Sequence, residues 1–112
     1  MDNLAQMNCV SLRGGAQALT EQEVERYRQQ VPEWEIVQAE GEQRIKRVFR
    51  FKNFAEALAF TNRVGQIAEA QDHHPAILTE WGRVTIFWWS HTVHGLHSND
   101  FIMAAKTDQL YG

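Results

Sequence analysis

The sequence predicts an α+β fold: a four-stranded antiparallel sheet with helices packed on one face, in the order α-β-β-α-β-β-α. Three observations predict it. Apolar residues recur at three- and four-residue steps in three segments, each opened by a residue suited to cap a helix. Between these segments lie two pairs of strand-like runs, each pair folded around one glycine, Gly41 or Gly82. The chain has 112 residues, 44% of them hydrophobic, enough for one core and too few for two.

Residues 1–18 show mixed composition, a Gly14-Gly15 pair and no sustained period, so a loose N-terminal arm is expected, with the folded domain spanning 19–112. Cys9 reads as a passive residue of that arm, with a reactive or metal-binding thiol as the alternative. Thr20 opens the first helix, and Glu23 three residues later completes a capping box. Val24, Tyr27 and Val31 share one face, and Pro32 stops the helix near Gln30. A strand begins at Trp34, turns at Glu40-Gly41-Glu42 and returns as Arg44 to Phe51.

Asn53 caps a long helix, with Glu56 placed for a second box. Its expected inner face is Phe54, Ala57, Leu58, Thr61, Val64 and Ala68, and it fades at Gln71. Ala76 to Trp81 and Arg83 to Trp89 are the last two strands. Both faces of the second are apolar, so it is central or covered by a partner; as an edge it would invite pairing with a second copy. Ser98 or Asn99 caps a closing helix with Asp100 in its first turn and Phe101, Ala104, Ala105 and Leu110 inward.

Composition excludes several function classes. The net charge is −3, and the basic run Arg44, Lys46, Arg47, Arg50, Lys52 alternates with apolar residues as a solvated strand face does. Direct nucleic-acid binding is therefore not expected. One cysteine forbids an intrachain disulfide and suits a reducing compartment. No apolar run reaches the ~18 residues of a membrane span, and no secretory leader opens the chain. The expected setting is cytoplasmic.

The chemistry concentrates in Glu69-Ala70-Gln71-Asp72-His73-His74-Pro75 and in His91, which a hairpin can bring back beside it. Imidazole exchanges protons near neutrality, so these residues read as a proton-transfer site. Pro75 forces His74 out of helical geometry and projects the pair from the helix end. Glu69, one turn before His73, is placed to orient that imidazole. His91, His94 and His97 recur at every third position, a spacing that raises a zinc site. Gly95 and the lack of a Cys or Asp at metal-ligand spacing weigh against it, and no metal is expected. Trp34, Trp81, Trp88 and Trp89 are core residues by default, though one or two could wall a slot for a flat heterocycle. No phosphate loop, nucleophile elbow or dinucleotide fingerprint is present, which leaves acid–base work without a cofactor.

Glu69, three residues, His73-His74-Pro75, five residues, Trp81, nine residues, His91, eight residues, Asp100 resembles the pattern of pterin-4a-carbinolamine dehydratases. Pro32-Glu33-Trp34, Phe49 to Phe54, Ala59 to Val64 and the tail from Gly95 to Asp108 are also similar to that family. The resemblance runs from about Leu19 to Asp108. It implies the same sheet-and-helix fold, paired through sheet edges into a homodimer or homotetramer. It also implies loss of water from 4a-hydroxytetrahydropterin to give quinonoid dihydropterin, with no metal or organic cofactor, in recycling the pterin used by aromatic amino-acid hydroxylases. By resemblance, His73 and His91 form the acid/base pair, and His74 binds and orients the pterin. Glu69 supports the imidazoles, while Asp72, Trp89, Ser90 and Thr92 line the substrate pocket. Ile77 and Asn99 depart from animal relatives, which carry tryptophan and arginine there. Those relatives include dimerisation cofactors of a homeodomain transcription factor, so a non-catalytic partner-binding role is the alternative, and service to molybdopterin metabolism a third.

Overall fold

The computed structural model describes residues 3–12 and 15–112, and the expected architecture is present: three helices and a four-stranded antiparallel sheet of order β1-β2-β4-β3. Helix α1 is Glu21–Arg28, β1 Glu35–Ala39, β2 Glu42–Arg50, α2 Phe54–Gln71, β3 Ala76–Glu80, β4 Arg83–Trp88 and α3 Ser98–Tyr111. Thr20 caps α1 through the full reciprocal box with Glu23. Glu40 and Gly41 both take positive φ, 53° and 79°, the geometry that lets a two-residue loop follow the twist of its strands. At the second hairpin Phe51 donates to the Gly82 carbonyl at 2.9 Å. A Cβ on Gly82 would stand 3.3 Å from the Phe51 oxygen, so the close approach favours glycine.

Register places Ile45, Arg47 and Phe49 of β2 opposite Trp88, Ile86 and Val84 of β4. This face carries the core: Ile45, Phe49, Val84, Ile86 and Trp88 are buried beneath Phe60 and Val64 of α2 and Phe101 and Met103 of α3. The opposite sheet face holds Leu78, 54% exposed, and Lys46 beside Phe87. β4 lies between β2 and β3, so the apolar run Arg83 to Trp89 is an internal strand and cannot be the pairing edge. The edges are β1 and β3. The double apolar face of β4 reflects its central place.

Three local expectations are corrected. The inner stripe of α2 is Ala57, Phe60, Val64 and Ala68, whereas Phe54 and Leu58 are 45% and 42% exposed. Phe60 packs on the Phe49 and Phe51 rings of the sheet, and the Phe54–Leu58 stripe faces away. Asn53 accepts from the Glu56 N–H, but the Glu56 carboxylate reaches back to the Lys52 N–H, so the second box is only half formed. The cap of α3 is His97, one residue before Ser98: its Nδ1 accepts from the Asn99 N–H at 3.1 Å.

The basic run is not uniformly solvated. Arg47 lies on the core side, 4.4 Å over the Phe49 ring, and donates to Asp108 Oδ1 at 2.5 Å. Trp34 Nε1 donates to the same oxygen at 2.8 Å. Burial raises the Asp108 pKa, and the indole and guanidinium donors oppose that rise.

The segment expected as a loose arm is fastened along residues 3–10. A 3-10 turn at Leu4–Gln6 buries Leu4 and Ala5 against α3, and Lys106 Nζ donates to the Ala5 carbonyl at 2.8 Å. Asn99 grips Val10 from both sides, accepting its N–H at 3.0 Å and donating to its carbonyl at 2.8 Å. Residues without a helix or strand period can still be held by side chains distant in sequence. Among the described residues no helix is long and apolar enough to cross a membrane.

Candidate active site

Helix α2 ends on Asp72, a left-handed residue with φ 50°, and the His73 N–H closes back on the Ala68 carbonyl at 3.1 Å. This helix stop fixes where the two imidazoles go. His73 turns inward and is 8% exposed; the His74 side chain remains 55% exposed. Glu69 therefore partners His74, bonded to its Nε2, and does not orient His73. The i−4 geometry that would bring Glu69 to His73 requires the helix to continue through Asp72, and it does not.

The partner of His73 is Asp100. His73 Nε2 lies 2.6 Å from Asp100 Oδ1, and its ring stacks on Trp88 at 5.9 Å between centroids. Asp100 is fully buried and its other oxygen accepts from Ser90 Oγ at 2.7 Å and from the His97 N–H at 2.9 Å. Two donors converge on Oδ2, and Oδ1, which as a carboxylate oxygen can only accept, faces the His73 ring nitrogen. His73 Nε2 then carries its hydrogen toward Asp100, leaving Nδ1 as the acceptor.

The opposite wall follows β4. Trp89 lies under the Arg44 guanidinium at 3.9 Å, Ser90 is buried, and a 3-10 turn spans His91–Val93. Ser90 and Gly95 exchange backbone hydrogen bonds at 2.8 and 3.4 Å, which closes the loop below His91. The His91 side chain is 85% exposed, with Nδ1 3.8 Å from Glu42, while His94 Nδ1 lies 2.9 Å from the other Glu42 oxygen.

These walls enclose a cavity of about 640 Å³. Asp72, His73, His74, Trp89, Ser90, His91 and Thr92 all line it, so every expected site residue except Glu69 is brought together. Glu69 stands behind His74 instead. The histidines at 91, 94 and 97 do not converge. His91 and His94 face Glu42, whereas His97 spends Nδ1 on its helix cap; among the described residues no group of three suitable side chains could hold a metal ion. Burial holds the His97 pKa below its ordinary value, with Asp100 opposing and His73 adding to the shift.

Two features of the site escaped the sequence reading. Asp100 carried a family spacing and a place in the first turn of a helix but no link to His73. Cys9, Val10, Ser11 and Leu12 form a further wall, and no period or motif marks them. Burial raises the Cys9 thiol pKa to about 11, with Asp100 adding to the rise, so the thiol stays protonated near neutrality.

The family described as Pterin 4 alpha carbinolamine dehydratase matches residues 17–110. The chain belongs to the pterin-4a-carbinolamine dehydratase family. It is 54% identical over 110 residues to a protein of Syntrophotalea carbinolica provisionally named pterin-4-alpha-carbinolamine dehydratase, covering 98% of both chains. A protein of Nitrosococcus oceani with the same provisional name is 56% identical, covering 98% of this chain and 97% of the relative. Among solved structures, a transcriptional coactivator/pterin dehydratase from Brucella melitensis superposes with a TM-score of 0.76 at 30% identity, covering 85% of this chain and 99% of that one. Within this dehydratase family frame, Ile77 is half-buried against the core, and Asn99, 1% exposed, holds Val10.

Proposed function

We propose that this chain dehydrates a 4a-hydroxytetrahydropterin to quinonoid dihydropterin by histidine acid–base catalysis. The observation that carries the reading is the gathering of His73, His74 and His91 on one cavity, with His73 held by a buried carboxylate. The reaction breaks the C4a–oxygen bond and removes the N5 proton. Hydroxide leaves poorly, so an acid must protonate that oxygen while a base takes the ring-nitrogen proton. Such help is typically worth about 10²–10⁴-fold.

His73, with Nε2 committed to Asp100, presents Nδ1 as the base. His91, 85% exposed at the mouth of the cavity, serves as the acid that releases water. His74, braced by Glu69, orients the bicyclic ring, and Asp72, Trp89, Ser90 and Thr92 complete its pocket. The dehydratase-like domain of residues 19–112 acts in the cytoplasm, with residues 9–12 lying against its cavity. The oligomer expected from the sequence stays within this proposal, with β3 in place of β4 as its edge: Leu78 is 54% and Trp81 71% exposed there.

The test follows quinonoid dihydropterin formation from synthetic carbinolamine with wild type, His73→Ala and His91→Ala. A rate enhancement by wild type that both variants lose by tenfold or more supports the reading, an expectation of about the size of one lost acid or base. Equal rates in all three would remove it.

A further inference from the structure

We propose that the N-terminal strap, residues 9–12, is a fixed binding wall for the substrate ring and sets the affinity of the site. This rests on the dehydratase reading. Three observations carry it. The strap lines the same cavity as the three imidazoles, facing it with Cys9, Val10, Ser11 and Leu12. It is anchored by the chain neighbours of the reactive groups. Asn99, which holds both the N–H and the carbonyl of Val10, immediately precedes Asp100; Gln71, which accepts from the Cys9 N–H at 2.7 Å, stands two residues before His73. Finally, Val10 is 60% exposed although its backbone is pinned on both sides.

A strap serving only to cover α3 would turn its apolar side chain down onto the helix. Leu4, further back, does that and is 4% exposed. Val10 does the reverse, leaving its apolar side chain bare at a cavity that Trp89 also lines. A flat heterocycle entering between them removes that surface from water without any cost of ordering the strap. Ser11 adds a hydroxyl on the same wall, able to donate to or accept from the polar edge of the ring.

The hydrogen bonds of the strap go to Gln71 and Asn99 and none to His73, His74 or His91, so its contacts with the ring act alike in the ground and transition states. Its loss raises KM and leaves kcat nearly unchanged. Asn99→Leu removes the clamp at similar volume, and Ser11→Trp fills the cavity from an exposed position that folding does not depend on. We expect each to raise KM about tenfold with kcat within about twofold. A second readout does not use turnover: alkylation of Cys9 by iodoacetamide in the full chain at pH 9, where enough of the thiol ionises to react. Saturating 7,8-dihydropterin is expected to slow it in wild type, and Asn99→Leu to accelerate it without ligand.

Wild-type turnover with KM unchanged in both variants, or with Cys9 alkylation indifferent to dihydropterin, would overturn the strap and leave the dehydratase reading standing. No turnover by wild type would overturn both. A fall in kcat at constant KM would also overturn the wall, because it would place the strap in the chemistry.

Discussion

His73 Nε2 and Asp100 Oδ1 meet at 2.6 Å across 27 residues of sequence, joining the end of α2 to the first turn of α3. Asp100 also serves as the acidic member of the α3 capping box through the His97 N–H. One carboxylate therefore starts a helix and fixes the tautomer of an imidazole.

Asp100→Asn separates these two tasks. The amide oxygen still accepts one hydrogen bond, while its NH₂ presents a donor where the carboxylate accepted. An amide that keeps its oxygen on the cap turns that NH₂ toward His73, which reverses the tautomer and removes the lone pair from Nδ1. We expect kcat to fall roughly 10²–10³-fold with KM within a few-fold. A fall of less than about threefold in single-turnover kinetics would show that the tautomer is held by something else.

Glu69 and His74 give a contrasting case. Both side chains are more than half exposed, so solvent screens their pairing. Glu69→Gln keeps an acceptor beside Nε2, and KM is expected to rise by less than about threefold. His74→Ala removes the ring-orienting group itself, with an expected rise of about tenfold or more in KM. Steady-state kinetics on the two variants decide this, and equal losses would mean that the pair acts as one unit.

The order of elements was readable because each helix opens on a cap and each hairpin turns on a glycine. Local chemistry sets both. Long-range choices were less accessible. Nothing near Glu69 tells whether the helix continues far enough to reach His73; the left-handed Asp72 decides that, and aspartate adopts either conformation. The strap was missed for a similar reason. The N-terminal segment as a whole is held by Gln71, Asn99 and Lys106, which lie 62, 89 and 101 residues from the residues they bind, Cys9, Val10 and Ala5. A segment fastened by side chains from elsewhere carries no period of its own. Phe60 shows the same limit: either stripe of α2 satisfies helical spacing, and only the packing against Phe49 and Phe51 selects one.

Asp108 ties the closing helix to the sheet. Its Oδ1 takes both the Trp34 indole N–H and the Arg47 guanidinium, and Trp34 is 1% exposed. Asp108→Ala leaves a buried indole donor unpaired and a half-buried guanidinium without its counter-charge. The expected loss is about 2–4 kcal/mol by urea unfolding, with the slope of the transition unchanged. Asp108→Asn keeps an acceptor and should lose less than half of that. A loss below about 0.5 kcal/mol for the alanine variant would show that solvent replaces both bonds.

His97 makes stability depend on pH in a definite direction. Its Nδ1 caps α3 by accepting the Asn99 N–H, which requires the neutral ring, and burial lowers its pKa from 6.5. The charged groups facing it are Asp100, which favours protonation, and His73, which opposes it. As pH falls through 6.5 the unfolded chain takes up the proton first, so it binds more protons than the folded chain and folding weakens. The weakening stops only below the lowered folded pKa, where both states are protonated. His97→Asn retains a capping oxygen and has no proton to bind. The melting temperature of wild type should therefore fall more steeply between pH 7.5 and 5 than that of His97→Asn. Parallel curves would mean that the ring caps the helix equally well in either charge state, which an imidazolium, with no lone pair on Nδ1, cannot do.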